Sequence, residues 1–161
     1  MIKKNITLFL LASITTACHV TADFKPATLS EQCYNAGAIM AGTVANRFYD
    51  INSGTYSIIL DNSVFYRGCG PKANQIDGFV GSQNCGVNVP RVGEEVVVFV
   101  CRHGWFSWKI NAYKAFCGCM KAKNDTLNEI KTMMEREKKL WNCEPDENGV
   151  QWIHYGQCHY T

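Results

Sequence analysis

"EVVVFVC", residues 95 to 101, is an unbroken apolar run rich in β-branched residues and closed by a cysteine. With apolar side chains at successive positions it has no polar face to turn toward water. It therefore predicts a central strand covered on both sides, or one strand of a closed barrel.

Upstream, AGAIMAGTVA at 36–45 mixes small and apolar residues without a helical stripe. Its β-branched Ile39, Thr43 and Val44 predict a strand whose glycines allow a bulge or a close neighbour. The polar stretch NRFYDINSGT then reads as a connection to TYSIILDNSVFY, residues 55–66. There Tyr56, Ile58 and Leu60 alternate with Ser57, Ile59 and Asp61, which gives one consistently apolar face. Arg67-Gly68-Cys69-Gly70-Pro71 interrupts the pattern, and a weaker strand follows at Gln75 to Val80. Several short strands separated by turn signals predict a small β-barrel.

Helices are expected after the strands. Trp105, Trp108 and Ala112 in WFSWKINAYKAF (105–116) are spaced by three and four, as in a short helix laid on the barrel. Thr126-Leu127-Asn128-Glu129 has the form of a capping box. Behind it Leu127, Ile130, Met134 and Trp141 form an apolar stripe, with Lys131, Glu135, Arg136, Glu137, Lys138 and Lys139 on the solvated side. The tail from Cys143 to Cys158 predicts a disulfide-tied hairpin.

The chain starts as an export signal does. Lys3 and Lys4 precede the apolar run ITLFLLASI (6–14), which is too short to span a bilayer. Small residues permit cleavage after Ala17 or after Ala22. The formal charge of +2 arises from 16 basic and 14 acidic residues, so loss of Lys3 and Lys4 leaves 14 against 14. A neutral balance gives no electrostatic reason to expect nucleic acid or anionic membrane as partner. The expected organisation is a signal peptide at 1–17, one barrel domain at 18–122 and a helix-and-hairpin extension at 123–161.

Nine cysteines stand at 18, 33, 69, 85, 101, 117, 119, 143 and 158. In an oxidising compartment they are expected to form disulfides, each worth about 2 to 4 kcal/mol. Cleavage after Ala22 leaves an even eight, and cleavage after Ala17 leaves nine. There is no CxxC pair or His pair at zinc-ligand spacing, so no metal or other cofactor is expected. His103 lies in a polar turn, and neither HExxH nor GxSxG occurs, so no catalytic residue is assigned and the chain is read as a non-enzyme. Asn124-Asp125-Thr126 is a sequon for N-glycosylation.

Several of these pieces occur in an order that resembles the netrin-like domain, and within it the tissue inhibitors of metalloproteinases. They are Cys33-Tyr34-Asn35-Ala36, the strand AGAIMAGTVA, SVFYRG (63–68), Asn84-Cys85-Gly86-Val87, VVVFVCRHG and FCGC (116–119). The resemblance covers residues 33 to 119 and implies a five-stranded barrel of the oligonucleotide/oligosaccharide-binding (OB) type with flanking helices. It further implies that a mature N-terminal cysteine, here Cys18, chelates the zinc of a target protease through its α-amine and carbonyl. His19 would enter the specificity pocket. The loop of Ser82, Gln83, Asn84, Cys85, Gly86 and Val87 would support the wedge through a Cys18–Cys85 bridge. This use of Cys18 favours cleavage after Ala17. The resemblance also implies pairing of Cys33 with Cys117 or Cys119.

Two departures from the family pattern stand out. Val20 replaces the family's second cysteine, so Cys101 needs another partner, for which the additional Cys69 is a candidate. His19 is larger than the residue usual at its position. The implied partner is a zinc metalloproteinase; the alternative is another extracellular protein bound without protease inhibition.

Overall fold

The computed structural model describes residues 27–80, 89–103, 107–111 and 118–136. Its elements are α1 (Leu29–Asn35), β1 (Ala38–Asp50), β2 (Thr55–Arg67), β3 (Asn74–Phe79), β4 (Glu95–His103), β5 (Ser107–Ile110), β6 (Cys119–Lys121) and α2 (Asn124–Arg136). The strands run in the order β1-β2-β3-β5-β4, and β4 pairs back onto β1. That circuit is a closed five-stranded barrel, consistent with an OB-fold-like architecture. The β3–β5 pairing is parallel and the other pairings are antiparallel. The short β6 lies outside the circuit, on the edge of β4 that β5 leaves uncovered.

The apolar run at 95–101 is the strand the barrel turns on. β4 pairs with β1 along one edge and with β5 and β6 along the other. Val96, Val98 and Val100 point into the barrel, where they meet Met40, Ile58, Leu60, Ile76 and Trp108. Val97 and Phe99 point outward into a second core with Cys33, Ala36, Ile39, Ala41, Ile130 and Met134, beneath the two helices. One strand thus serves two cores, which is why its sequence does not alternate. Full burial of a side chain such as Phe99 contributes about 1.5–3 kcal/mol.

β1 bends to close the barrel. Its register against β2 shifts at three places, between Ile39 and Met40, Ala41 and Thr43, and Val44 and Asn46. Gly42 sits inside the second irregularity. A Cβ there would fall 2.5 Å from the carbonyl oxygen of Asp61, so only glycine lets β2 approach this closely.

α1 is fixed at both ends. The Thr28 hydroxyl accepts from the Glu31 amide at 3.2 Å, and the Glu31 carboxylate accepts from the Thr28 amide at 2.8 Å. This capping box satisfies two amides at the start of the helix. At the other end the buried Arg67 guanidinium, carried by β2, donates to the carbonyls of Cys33, Tyr34 and Ala36. A cation at a helix C-terminus complements the carbonyl dipoles gathered there.

Four expectations are corrected. The predicted helix at 105–116 is a strand where it is described: β5 buries Trp108 and Ile110 and turns Ser107 and Lys109 outward. A period of two prevails because the barrel needs a strand between β3 and β4, and because the Trp108 indole donates to Asn74 inside it at 3.2 Å. The polar connection after Ala45 is strand as far as Asp50, and only residues 51–54 turn. The capping box at 126–129 does not start α2, because the helix begins at Asn124 and Leu127 already donates to the Lys123 carbonyl. Thr126 and Glu129 therefore lie within the helix. Finally, Cys69 and Cys119 carry free thiols, so neither Cys69–Cys101 nor Cys33–Cys119 is formed. Cys119 belongs to the barrel interior and Cys33 to the outer core, on opposite sides of the sheet. Of the α2 stripe, Ile130 and Met134 are buried as expected and Leu127 packs against them. Trp141 and the expected hairpin at 143–158 are outside the described residues.

Candidate functional site

Cys18 and His19, and the loop from Ser82 through Gln83, Asn84, Cys85 and Gly86 to Val87, lie outside the described residues, as do Cys117, Cys143 and Cys158. What the structure does place is the pair of points between which that loop is strung. Phe79, the last residue of β3, pairs with Tyr56 on β2. Val89, the first described residue after the loop, is buried against the barrel interior, and its carbonyl accepts from the Arg47 guanidinium at 3.3 Å. Both anchors therefore lie against the β1–β2 hairpin, Phe79 one pair from its turn and Val89 beside Arg47.

β1 runs on beyond its ladder with β4, while β2 stays in the barrel wall through its pairing with β3 from Leu60 to Tyr56. The β1–β4 ladder stops at Thr43–Glu95, whereas β1 and β2 remain paired to Asp50–Thr55. The hairpin's turn is built by Asp50, whose carboxylate accepts from the Asn52 amide at 2.9 Å and the Ser53 hydroxyl at 2.8 Å. Gly54 supplies the positive φ of 69° that brings its amide back to the Asp50 carbonyl. The hydrogen bond from Ser53, followed by that from Asn52, holds the Asp50 carboxyl below its ordinary pKa.

The surface of the hairpin is apolar and aromatic. Phe48 is 39% exposed, Tyr49 54% and Ile51 83%. Tyr49 and Tyr56 pack with ring centroids 5.0 Å apart, and the Arg47 guanidinium lies 4.8 Å above the Tyr56 ring. Exposed aromatic clusters with an arginine are typical of surfaces that dock another protein. Sequence reasoning missed this group by reading residues 46–54 as a polar connection. The signal was Phe48-Tyr49, two large rings with no core position to fill.

A concavity of about 630 Å³ lies where β4 begins and β6 ends; Val89, Arg91, Glu94, Cys119, Lys121 and Lys123 are among the residues that line it. Burial, with a smaller contribution from Glu94, pushes the Cys119 thiol up to about 12. A thiol held protonated is neither a nucleophile nor a metal ligand at neutral pH. Among the described residues no group of three His, Cys, Asp or Glu side chains is arranged to hold a metal ion. No described helix is long and apolar enough to cross a membrane.

Cys101, at the end of the apolar run, is disulfide-bonded, with its partner outside the described residues. His103 is exposed at the end of β4, and its carbonyl accepts from the Ser107 hydroxyl. Asn124, the sequon asparagine, is exposed at the first position of α2.

In comparisons with known proteins, no family model and no curated relative matches this chain.

Proposed function

We propose that this is a secreted inhibitor of zinc metalloproteinases, similar in action to the tissue inhibitors that its motif order resembles. The observation behind this reading is the barrel circuit β1-β2-β3-β5-β4-β1 with a helix against its outer face at either end of the described chain. It is the architecture the resemblance implies. In this reading, processing after Ala17 makes Cys18 the first residue, and its α-amine and carbonyl chelate the metal of the target enzyme. His19 occupies the adjacent specificity pocket, and Ser82 to Val87 brace the wedge, so that little conformational freedom is lost on binding.

The amine must be unprotonated to donate its electron pair, and a free α-amine titrates at about 7.7–8.0. Inhibition is accordingly expected to weaken as pH falls below neutral. Titration of a panel of zinc endopeptidases with the refolded chain beginning at Cys18 checks this, with a chain extended by one alanine as control. Inhibition that the extension abolishes supports the reading. Inhibition that is absent, or indifferent to the extension, discards it.

A second reading, an extracellular protein-binding module without inhibition, is favoured by one observation. Phe48, Tyr49 and Ile51 are exposed on the hairpin, and contact through them needs no free N-terminus. Capture of a non-enzyme extracellular partner that survives the alanine extension but not Tyr49→Ser would favour it.

A further inference from the structure

We infer that Asn124 is an occupied N-glycosylation site and that its glycan stands over the 630 Å³ cleft at the β6 end of the barrel. The inference rests on the export reading, since the transfer needs the secretory pathway. It does not depend on protease inhibition.

Two placements carry it. Asn124 is exposed, and it follows Lys123 and lies two residues before Thr126, both of which line the cleft. A sugar chain on its amide therefore leaves the surface at the cleft's rim. The three sequon residues also span the step from an irregular residue into a helix, with Lys123 outside α2 and Asn124, Asp125 and Thr126 in its first turn. Position in the first turn matters energetically. The first amides of a helix have no intrahelical carbonyl to bond, so a modified side chain there interrupts no hydrogen bond of the helix. Nothing of the core is disturbed either, because α2 packs through Ile130 and Met134, on later turns.

The chemistry is a substitution. The Asn124 side-chain nitrogen forms a bond to the anomeric carbon of an oligosaccharide carried on a lipid diphosphate. The carbon–oxygen bond to the diphosphate breaks, the lipid diphosphate departs with that electron pair, and one amide proton passes to a base. No oxidation state changes. Because a sequon is read in an open chain segment, transfer precedes formation of α2, and the helix then closes around an already modified first residue.

Once in place, a bulky hydrated chain at the rim screens Lys121 and Lys123.

The test is expression of the full chain, with its own leader, in a eukaryotic secretory host, followed by intact-mass measurement before and after peptide-N-glycosidase. The expected result is one enzyme-sensitive mass step, with aspartate replacing asparagine only at position 124 after release. Asn124→Gln and Thr126→Ala should each abolish the step and Thr126→Ser should keep it, so misfolding of one variant leaves the others informative. Trypsin should cleave after Lys121 and Lys123 more slowly in the glycosylated form than in N124Q. A secreted chain with no enzyme-sensitive mass overturns the inference alone. A chain that never enters the medium overturns it together with the export reading. Equal tryptic rates would overturn the placement of the glycan over the cleft.

Discussion

The two halves of β1 have opposite fates. From Ala38 to Val44 the strand is almost wholly buried, with β2 along one edge and β4 along the other as far as Thr43, and its side chains are divided between two cores. From Ala45 to Asp50 the same strand is largely exposed, paired with β2 and carrying two aromatic rings and a guanidinium at the surface. Beyond the β4 ladder this half is paired along one edge, with β2. Its exposed side chains are under weaker packing constraints than those of the buried half.

The largest expected effect strikes the buried half. Phe99 faces Ile39 across the β1–β4 ladder and is fully enclosed. Phe99→Ala should cost about 3–5 kcal/mol in chemical denaturation, combining lost transfer energy with a cavity. Gly42→Ala should cost about 1–3 kcal/mol, since the new methyl meets the Asp61 carbonyl and β1 or β2 must move. If either variant is as stable as the parent, the tight half of β1 is not tight.

A third experiment separates the interior from the hairpin by pH. Burial pushes the folded Cys119 thiol up to about 12, from an ordinary thiol value near 9.0, so the fold prefers the protonated form. Its contribution is complete below the unfolded pKa and is lost as pH rises toward the folded one, a window of about 9 to 12. Cys119→Val should flatten the alkaline decline of stability measured by circular dichroism.

On the exposed half and its turn, Phe48→Ser or Ile51→Ser should alter stability by no more than about 0.5 kcal/mol, as exposed substitutions do. The same changes should weaken capture of a hairpin-dependent partner. A large stability loss would mean that these side chains serve the fold after all. The smallest effect belongs to Asp50. Its carboxyl is held below its usual pKa, so its contribution exists above the unfolded pKa and disappears as pH falls through the folded one. Asp50→Asn should remove only this weak acid dependence of the turn.

The barrel was legible because its diagnostic strand is buried on both faces, which leaves a sequence trace independent of context. Trp108 was not, since two tryptophans three residues apart fit a helix as well as they fit a four-residue strand, and only the gap between β3 and β4 decides between them. Thr28-Leu29-Ser30-Glu31 spelled a capping box as plainly as Thr126 to Glu129 did. The first opens a helix and the second falls inside one, because a cap is defined by where the preceding backbone departs from the helix and the side chains alone do not fix that point. The hairpin aromatics were hidden by their polar neighbours. As for the proposed inhibitory end, a chelating amine exists only after proteolysis, and residue order cannot choose between Ala17 and Ala22.

The grip of Arg67 on the end of α1 also bears on how the molecule is made. Along the chain, Cys33 emerges 34 residues before the arginine that donates to its carbonyl. The nascent helix therefore has to wait, its last turn unclasped, until β2 is complete. The C-terminal end of α1 is thus tied to a side chain that lies downstream of it in the chain.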